Sequence, residues 1–278
     1  MHYTFGVMQG RLSPPENGRF QSFPRNSWRD EFSRAKAAGF SYIEWIHDDY
    51  DKGANPIFSD EGLGELDALK REHGISTPAL CGDWFMDFPL IRCTHKERTW
   101  REQHLHDLIP IAQRMGARRI VLPFVDASSI RTGQEQQTVL DVLNGALLHA
   151  EQCDVELHLE ADMNPTEFKA FLARIPHPLL KVNWDSGNSS GLGFVATEEF
   201  SAYGDRVGSI HIKDRHRKPE GGVETRPLGT GSADFTDVSR AIRGIDYNGG
   251  LTLQVARGDA GDEVHFLQEQ LAFVQQHI

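Results

Sequence analysis

Apolar positions along this chain of 278 residues fall into short β-rich runs, each followed by a longer stretch with the period of an amphipathic helix. The runs lie at 4–8, 42–46, 76–80, 119–124, 155–160, 181–185, 207–213 and 250–255. The helical stretches cover 28–38, 59–72, 94–115, 135–151, 164–174, 197–203, 234–243 and 262–277. Asn26-Ser27 is placed to cap the first helix, and Ser59, followed by Asp60 and Glu61, to open the second. The order helix, glycine, strand recurs at Gly39, Gly74 and Gly116, as short αβ connections require. Eight such units predict an α/β fold, a single (β/α)8 TIM barrel with a parallel eight-stranded sheet over residues 1–278. The competing doubly wound sheet would show GxGxxG after its first strand, and none is there. No linker, low-complexity tract or charge block marks a second domain.

Composition narrows the partners more than the fold. Hydrophobic residues at 39% and charged residues at 25% are ordinary for a soluble domain. A chain of this length buries enough surface to need no disulfide staples. The formal net charge of −11 argues against nucleic acid, whose phosphates require a basic face. It leaves room for a small anion held by a few local arginines. Cys81, Cys93 and Cys153 are odd in number, widely spaced and form no CxxC, which points away from a zinc ribbon or disulfide framework and toward a reducing compartment. The first residues do not read as a secretory signal, and no apolar run approaches the roughly 18 residues of a membrane span. The expectation is a cytoplasmic protein with no membrane contact.

Candidate chemistry sits at the strand tips. Interior strands of a parallel barrel should be apolar, whereas polar residues at their C-terminal ends face the mouth where active sites lie. VELHLEAD delivers Glu160, KVNWDSGN delivers Asp185, SIHIKDR delivers His211 and LTLQVAR delivers Gln254. Each has a plainer reading when taken alone. A strand-end Glu caps or pairs, a His between isoleucines is a hydrogen-bonded core residue, and Asp before Ser-Gly-Asn shapes a turn. Four neighbouring tips read together give two carboxylates, an imidazole and an amide oxygen, a mixed O/N set for one divalent metal ion.

The segments GVMQGRL, GFSYIEW, LHLEAD, VNWDSGN, HIKDR and LGTGSADF, with DYNGGLTLQ after them, resemble the xylose isomerase-like TIM barrel superfamily. The sugar phosphate isomerase/epimerase branch is the most similar, and the resemblance runs strand by strand over the whole chain. It implies one divalent ion, manganese first and magnesium, cobalt or zinc as alternatives, held by Glu160, Asp185 and His211. The fourth family ligand is a second Glu, and here that position falls on Gln254. An amide can ligate through oxygen but cannot act as a general base, so a symmetrical two-Glu proton exchange is not available.

The resemblance implies a small sugar or sugar phosphate as substrate and isomerisation or epimerisation through an enediolate as reaction. Three mechanisms stay open. Glu160 as sole catalytic base moves a proton between adjacent carbons; His47, Glu44 or Asp83 acts as second base; or the metal supports a dehydration, as in inosose dehydratase relatives. A non-catalytic sugar-binding barrel is a further alternative. An apurinic endonuclease is disfavoured by charge and by the helical placement of His104, His106, His149 and His265.

Arg11, Arg215, Arg226 and Arg257 cluster near the motifs, and Lys213 lies beside His211. Barrel loops after strands seven and eight often take phosphate; arginine forks and the Gly229–Ser232 stretch could supply donors, while pairing with acidic rims is the plainer role. The expected substrate-binding residues are Arg11, Glu44, His47, Asn188, Lys213, Arg215 and Arg257. Trp45, Trp84 and Phe85 are candidates to wall the sugar, or ordinary packing. Residues 94–115 and the Gln-rich C-terminal helix are candidate faces for a homo-oligomer.

Overall fold

A computed structural model describes residues 3–16, 18–218 and 222–278. Eight parallel strands close on themselves: β1 Thr4–Met8, β2 Tyr42–Ile46, β3 Ser76–Cys81, β4 Arg119–Phe124, β5 Glu156–Ala161, β6 Leu180–Asp185, β7 Val207–Ile212 and β10 Gly250–Leu253. The main crossover helices are α1 Asp30–Ala38, α2 Asp60–His73, α4 His95–Arg114, α5 Gly133–Cys153, α6 Pro165–Ala173, α8 Ala196–Tyr203, α9 Phe235–Gly244 and α10 Glu263–His277. The barrel is therefore the one that the eight-unit pattern predicts.

Helix starts follow capping chemistry. Thr94 and Glu97 bond reciprocally across the first turn of α4, and Thr132 and Glu135 do the same for α5. Ser59 caps α2 by accepting from Gly62 N at 3.1 Å, and Gly39 and Gly74 end α1 and α2 in the left-handed region. The expected Asn26-Ser27 cap is not used. Residues 25–29 form turns, α1 starts at Asp30 without a side-chain cap, and Asn26 instead donates to Glu16.

Three elements at the mouth lie outside the eight-unit pattern. They are the short helices α3 Trp84–Asp87 and α7 Ser186–Leu192, and an antiparallel hairpin of β8 Asp214–Arg217 with β9 Val223–Arg226. Among the described residues no helix is long and apolar enough to cross a membrane.

The two faces of the strands carry opposite chemistry, because successive side chains alternate. Outward positions such as Leu157, Leu159, Val182, Ile210, Ile212, Leu251 and Leu253 are buried under the helices. Inward positions are polar on one side of the barrel: His158 and Glu160 on β5, Asn183 and Asp185 on β6, Ser209 and His211 on β7, Thr252 on β10. Register places Asp185 beside His211 and Thr252 beside His211. The expectation of apolar strand interiors holds for the outer face and fails for this stretch of the inner one.

Candidate metal centre

Polar layers stack beneath the mouth. His158 Nδ1 meets Ser209 Oγ at 2.7 Å, Ser209 Oγ donates to Asn183 Oδ1 at 2.6 Å, and Asn183 Nδ2 donates to Glu160 Oε2 at 2.8 Å. Asn188 Nδ2 donates to the other Glu160 oxygen. Both oxygens of a nearly buried carboxylate are thus aimed from two sides. A satisfied buried network of this kind fixes geometry.

Glu160, Asp185 and His211 each offer one ligand atom, and these atoms lie within 4.8 Å of one another. His211 Nδ1 is 3.4 Å from Glu160 Oε2 and 3.9 Å from Asp185 Oδ2. Its other nitrogen, Nε2, is 2.8 Å from Glu44 Oε1, and Thr252 Oγ1 donates to Glu44 Oε2 at 3.0 Å. A ligating histidine usually has its second nitrogen fixed by a carboxylate in this way. Burial would lower the His211 value, but Glu44 and then Glu160 outweigh it and push the imidazole up to about 10.

Asp185 does two things at once. Oδ1 accepts from Gly187 N at 2.9 Å and Asn188 N at 2.8 Å and so caps α7, while Oδ2 lies 2.8 Å from Lys213 Nζ. The turn-shaping role read for Asp185 is therefore real and leaves one oxygen facing the cluster. Burial would raise the Asp185 value; Lys213, His211 and Arg215 together hold it below the usual aspartate range.

Gln254 lines the same cavity as Glu160. Its Nε2 donates to Gln21 Oε1 at 3.0 Å, and its Oε1 is buried without a hydrogen-bond partner among the described residues. An orphaned amide oxygen of this kind is a fitting fourth donor. Two carboxylates balance a +2 ion, and the neutral imidazole and amide add no charge.

A cavity of about 160 Å³ opens above, lined by Glu160, Asn188, Lys213, Arg215 and Gln254, with Phe20, Gln21, Asp83 and Met86 on the facing wall. Three expected substrate contacts, Asn188, Lys213 and Arg215, are therefore on its wall, as is Gln254, an expected metal ligand. Four others lie elsewhere. Glu44 is fully buried under His211. His47 is buried between Asp51 at 2.6 Å and His104 at 2.7 Å, with its ring stacked toward Trp84. Arg11 donates to Val255 O, Phe20 O and Gln21 Oε1. Arg257 donates to Phe20 O, Gly10 O and Ser13 O. These arginines tie the long loop after β1 to itself and to the segment after β10. The expected aromatic wall also differs. Trp45 packs in the core against Phe23, Trp28 and Phe32, Trp84 packs on Trp100 and His104, and Phe20 is the aromatic on the cavity.

Asn183, Gln21 and the α7 backbone escaped the sequence reading. Asn183 had a signal, since polar residues two apart in NWD point to one face; Gln21 had none.

A closed parallel barrel with an acid–imidazole cluster that could hold a metal ion at its C-terminal mouth defines the class, a TIM barrel with a candidate metal site. Residues 32–276 match the family described as xylose isomerase-like TIM barrel, and the chain belongs to that family. Among curated proteins it is similar to the Haemophilus influenzae protein named "Putative L-ribulose-5-phosphate 3-epimerase SgbU", 25% identical over 257 residues, covering 84% of this chain and 86% of the relative. Among solved structures it is similar to the IolI protein with a bound zinc atom, with TM-score 0.79, 15% identity and 99% of both chains covered. It is also similar to D-allulose 3-epimerase from Methylomonas sp. in complex with D-allulose, with TM-score 0.74, 18% identity, and 99% of this chain and 97% of that one covered.

Proposed function

We propose that the protein is a divalent-metal-dependent isomerase or epimerase of a small sugar, with Glu160 as catalytic base and Glu160, Asp185, His211 and Gln254 as metal ligands. The observation that carries this reading is the convergence of three ligand atoms within 4.8 Å, one of them from Glu160, which also lines the cavity. Relatives named for ketose 3-epimerisation support the reaction class. They include proteins named for a phosphate ester and for a free sugar. A divalent ion held by these residues, Mn²⁺ by preference, would supply Lewis acidity toward a substrate carbonyl.

The chain's own residues do the rest. Glu160 removes the proton from the carbon next to the carbonyl, and the electron pair moves into that carbonyl to give an enediolate. Asn183 and Asn188 keep the Glu160 carboxylate in one orientation while this happens. Asn188 Oδ1, buried and without a partner, accepts from a sugar hydroxyl.

The second proton donor is Asp83. Of the residues read as second base, Glu44 and His47 are sealed away from the cavity, and Asp83 lines it. Burial pushes the Asp83 carboxyl up, with Glu160 adding to the rise, while Gln21 donates to Oδ2 at 2.7 Å. Asp83 and Glu160 line the same cavity, so a sugar held between them would have one group to take the proton and a second to return it, as epimerisation needs.

Turnover of ketoses in D2O with Mn²⁺ tests this. Glu160→Gln should stop deuterium incorporation at the reacting carbon, and full turnover by that variant removes Glu160 from the base role. Asp83→Asn should depress epimerisation by about 10²–10⁴-fold, the usual contribution of one acid or base. An Asp83→Asn protein that still isomerises a ketose to an aldose points to a single-base enzyme.

A further inference from the structure

A terminal phosphate is gripped by arginine forks, lysine or clustered backbone N–H groups. Near this mouth those groups already have partners inside the chain. Arg11 and Arg257 are held by backbone carbonyls and Gln21. The glycine-rich stretch after β9 does form an anion seat, and the carboxylate of Asp214 fills it. Gly229 N and Gly231 N donate to Asp214 Oδ2 at 3.0 and 2.8 Å, and Ala233 N donates to Oδ1 at 3.0 Å. The first N–H groups of α7 are taken by Asp185. Lys213 Nζ lies 2.8 Å from Asp185 Oδ2, and Arg226 faces Glu224 at 3.0 Å.

Arg215 is the cation left on the cavity wall among the described residues, and it does not stand in a basic setting. It shares the lining of an adjoining recess of about 80 Å³ with Asp126, Asp162 and Asn188, closed by Val223 of the hairpin. Asp126 and Asp162 both face this recess, and Ser129 Oγ donates to Asp162 Oδ2. Ionised carboxylate oxygens only accept hydrogen bonds, and so do phosphate oxygens; a sugar hydroxyl can donate to them. Asn188 Oδ1 is a further buried acceptor without a partner among the described residues. The recess therefore carries two carboxylates against one cation.

We infer that the substrate is a free sugar, a ketose whose terminal carbon carries a hydroxyl and not a phosphate ester, with its polyol end directed to the Asp126–Asp162–Arg215 recess. This rests on the isomerase/epimerase reading above. Its ground is the inventory of donors and acceptors, which is independent of how the proton is moved.

The test uses the Mn²⁺-loaded protein. Free ketopentoses and ketohexoses are compared with the same sugars bearing a terminal phosphate, by kcat/KM where there is turnover and by calorimetric binding where there is none. The free sugar should be preferred by at least about tenfold, since an anion set against like charge is strongly disfavoured. Equal use or preference for the ester overturns the inference and leaves the proposed reaction standing. Tighter binding of the free sugar without conversion upholds the inference and removes the proposed reaction. Absence of binding and turnover for both forms across the panel overturns both. The double variant Asp126→Asn, Asp162→Asn should shift the ratio of the two substrates toward the ester by about tenfold. An unchanged ratio in that variant overturns the role given to the recess.

Discussion

Replacing Glu44 tests whether the metal centre is held from beneath. This carboxylate is fully buried, 2.8 Å from His211 Nε2, and accepts from Thr252 Oγ1 at 3.0 Å. Glu44→Gln removes the charge and keeps an acceptor; Glu44→Leu removes both. Partners of a ligating histidine typically change metal affinity by about 10–100-fold. At about 1.4 kcal/mol per factor of ten that is about 1.4–2.8 kcal/mol. Gln should fall at the low end because the ring orientation survives, and Leu at the high end.

Proton release gives a second, independent readout. With the imidazole pushed up to about 10 in metal-stripped protein, His211 is protonated at about pH 8 and must lose a proton before Nδ1 can ligate. Mn²⁺ binding to the parent should then release about one proton from this group, and less in Glu44→Gln, whose His211 moves down toward its ordinary value. Titration calorimetry of chelator-stripped protein in two buffers of different ionisation enthalpy reads both quantities. Unchanged affinity and unchanged proton release in both variants would refute the reasoning.

Further outcomes follow from the same geometry. Because the folded His211 value lies above its unfolded one, its ion-pair stability is present in full below the unfolded value and is lost as pH rises through about 10, so the Tm of stripped protein should fall over that range. A Tm that is flat there would contradict the Glu44–His211 pair. Gln254→Glu adds a charge at the proposed fourth ligand and should tighten Mn²⁺ binding by at least about 1 kcal/mol, read by competition with a chelator. Gly231→Ala places a Cβ 2.2 Å from Asp214 Oδ1 and should destabilise by about 1–3 kcal/mol in thermal unfolding, because the anion seat must open. Arg257→Ala leaves the carbonyls of Gly10 and Ser13 without this donor and should lower Tm, by about 1 kcal/mol for each part-buried bond lost.

The barrel and the positions of Glu160, Asp185 and His211 were legible in the chain because both rest on local periodicity. A run such as VELHLEAD states where a strand ends and which residue its tip delivers. A cap such as Thr94 with Glu97 states where a helix begins, and both signals span only a few residues. Identity of a partner across the barrel has no such signal. Glu44 and His211 are 167 residues apart in sequence. Only closure of the sheet brings Glu44 to His211 and buries it away from the cavity. The same holds for Arg11, Arg257 and the glycine-rich stretch, whose donors look free in the sequence and are bound in the fold by carbonyls and by Asp214. Sequence determined which groups exist and which strand carries them. Tertiary structure decided which remain available, because a buried polar group must find a partner and the nearest one is set by the closed sheet and its loops.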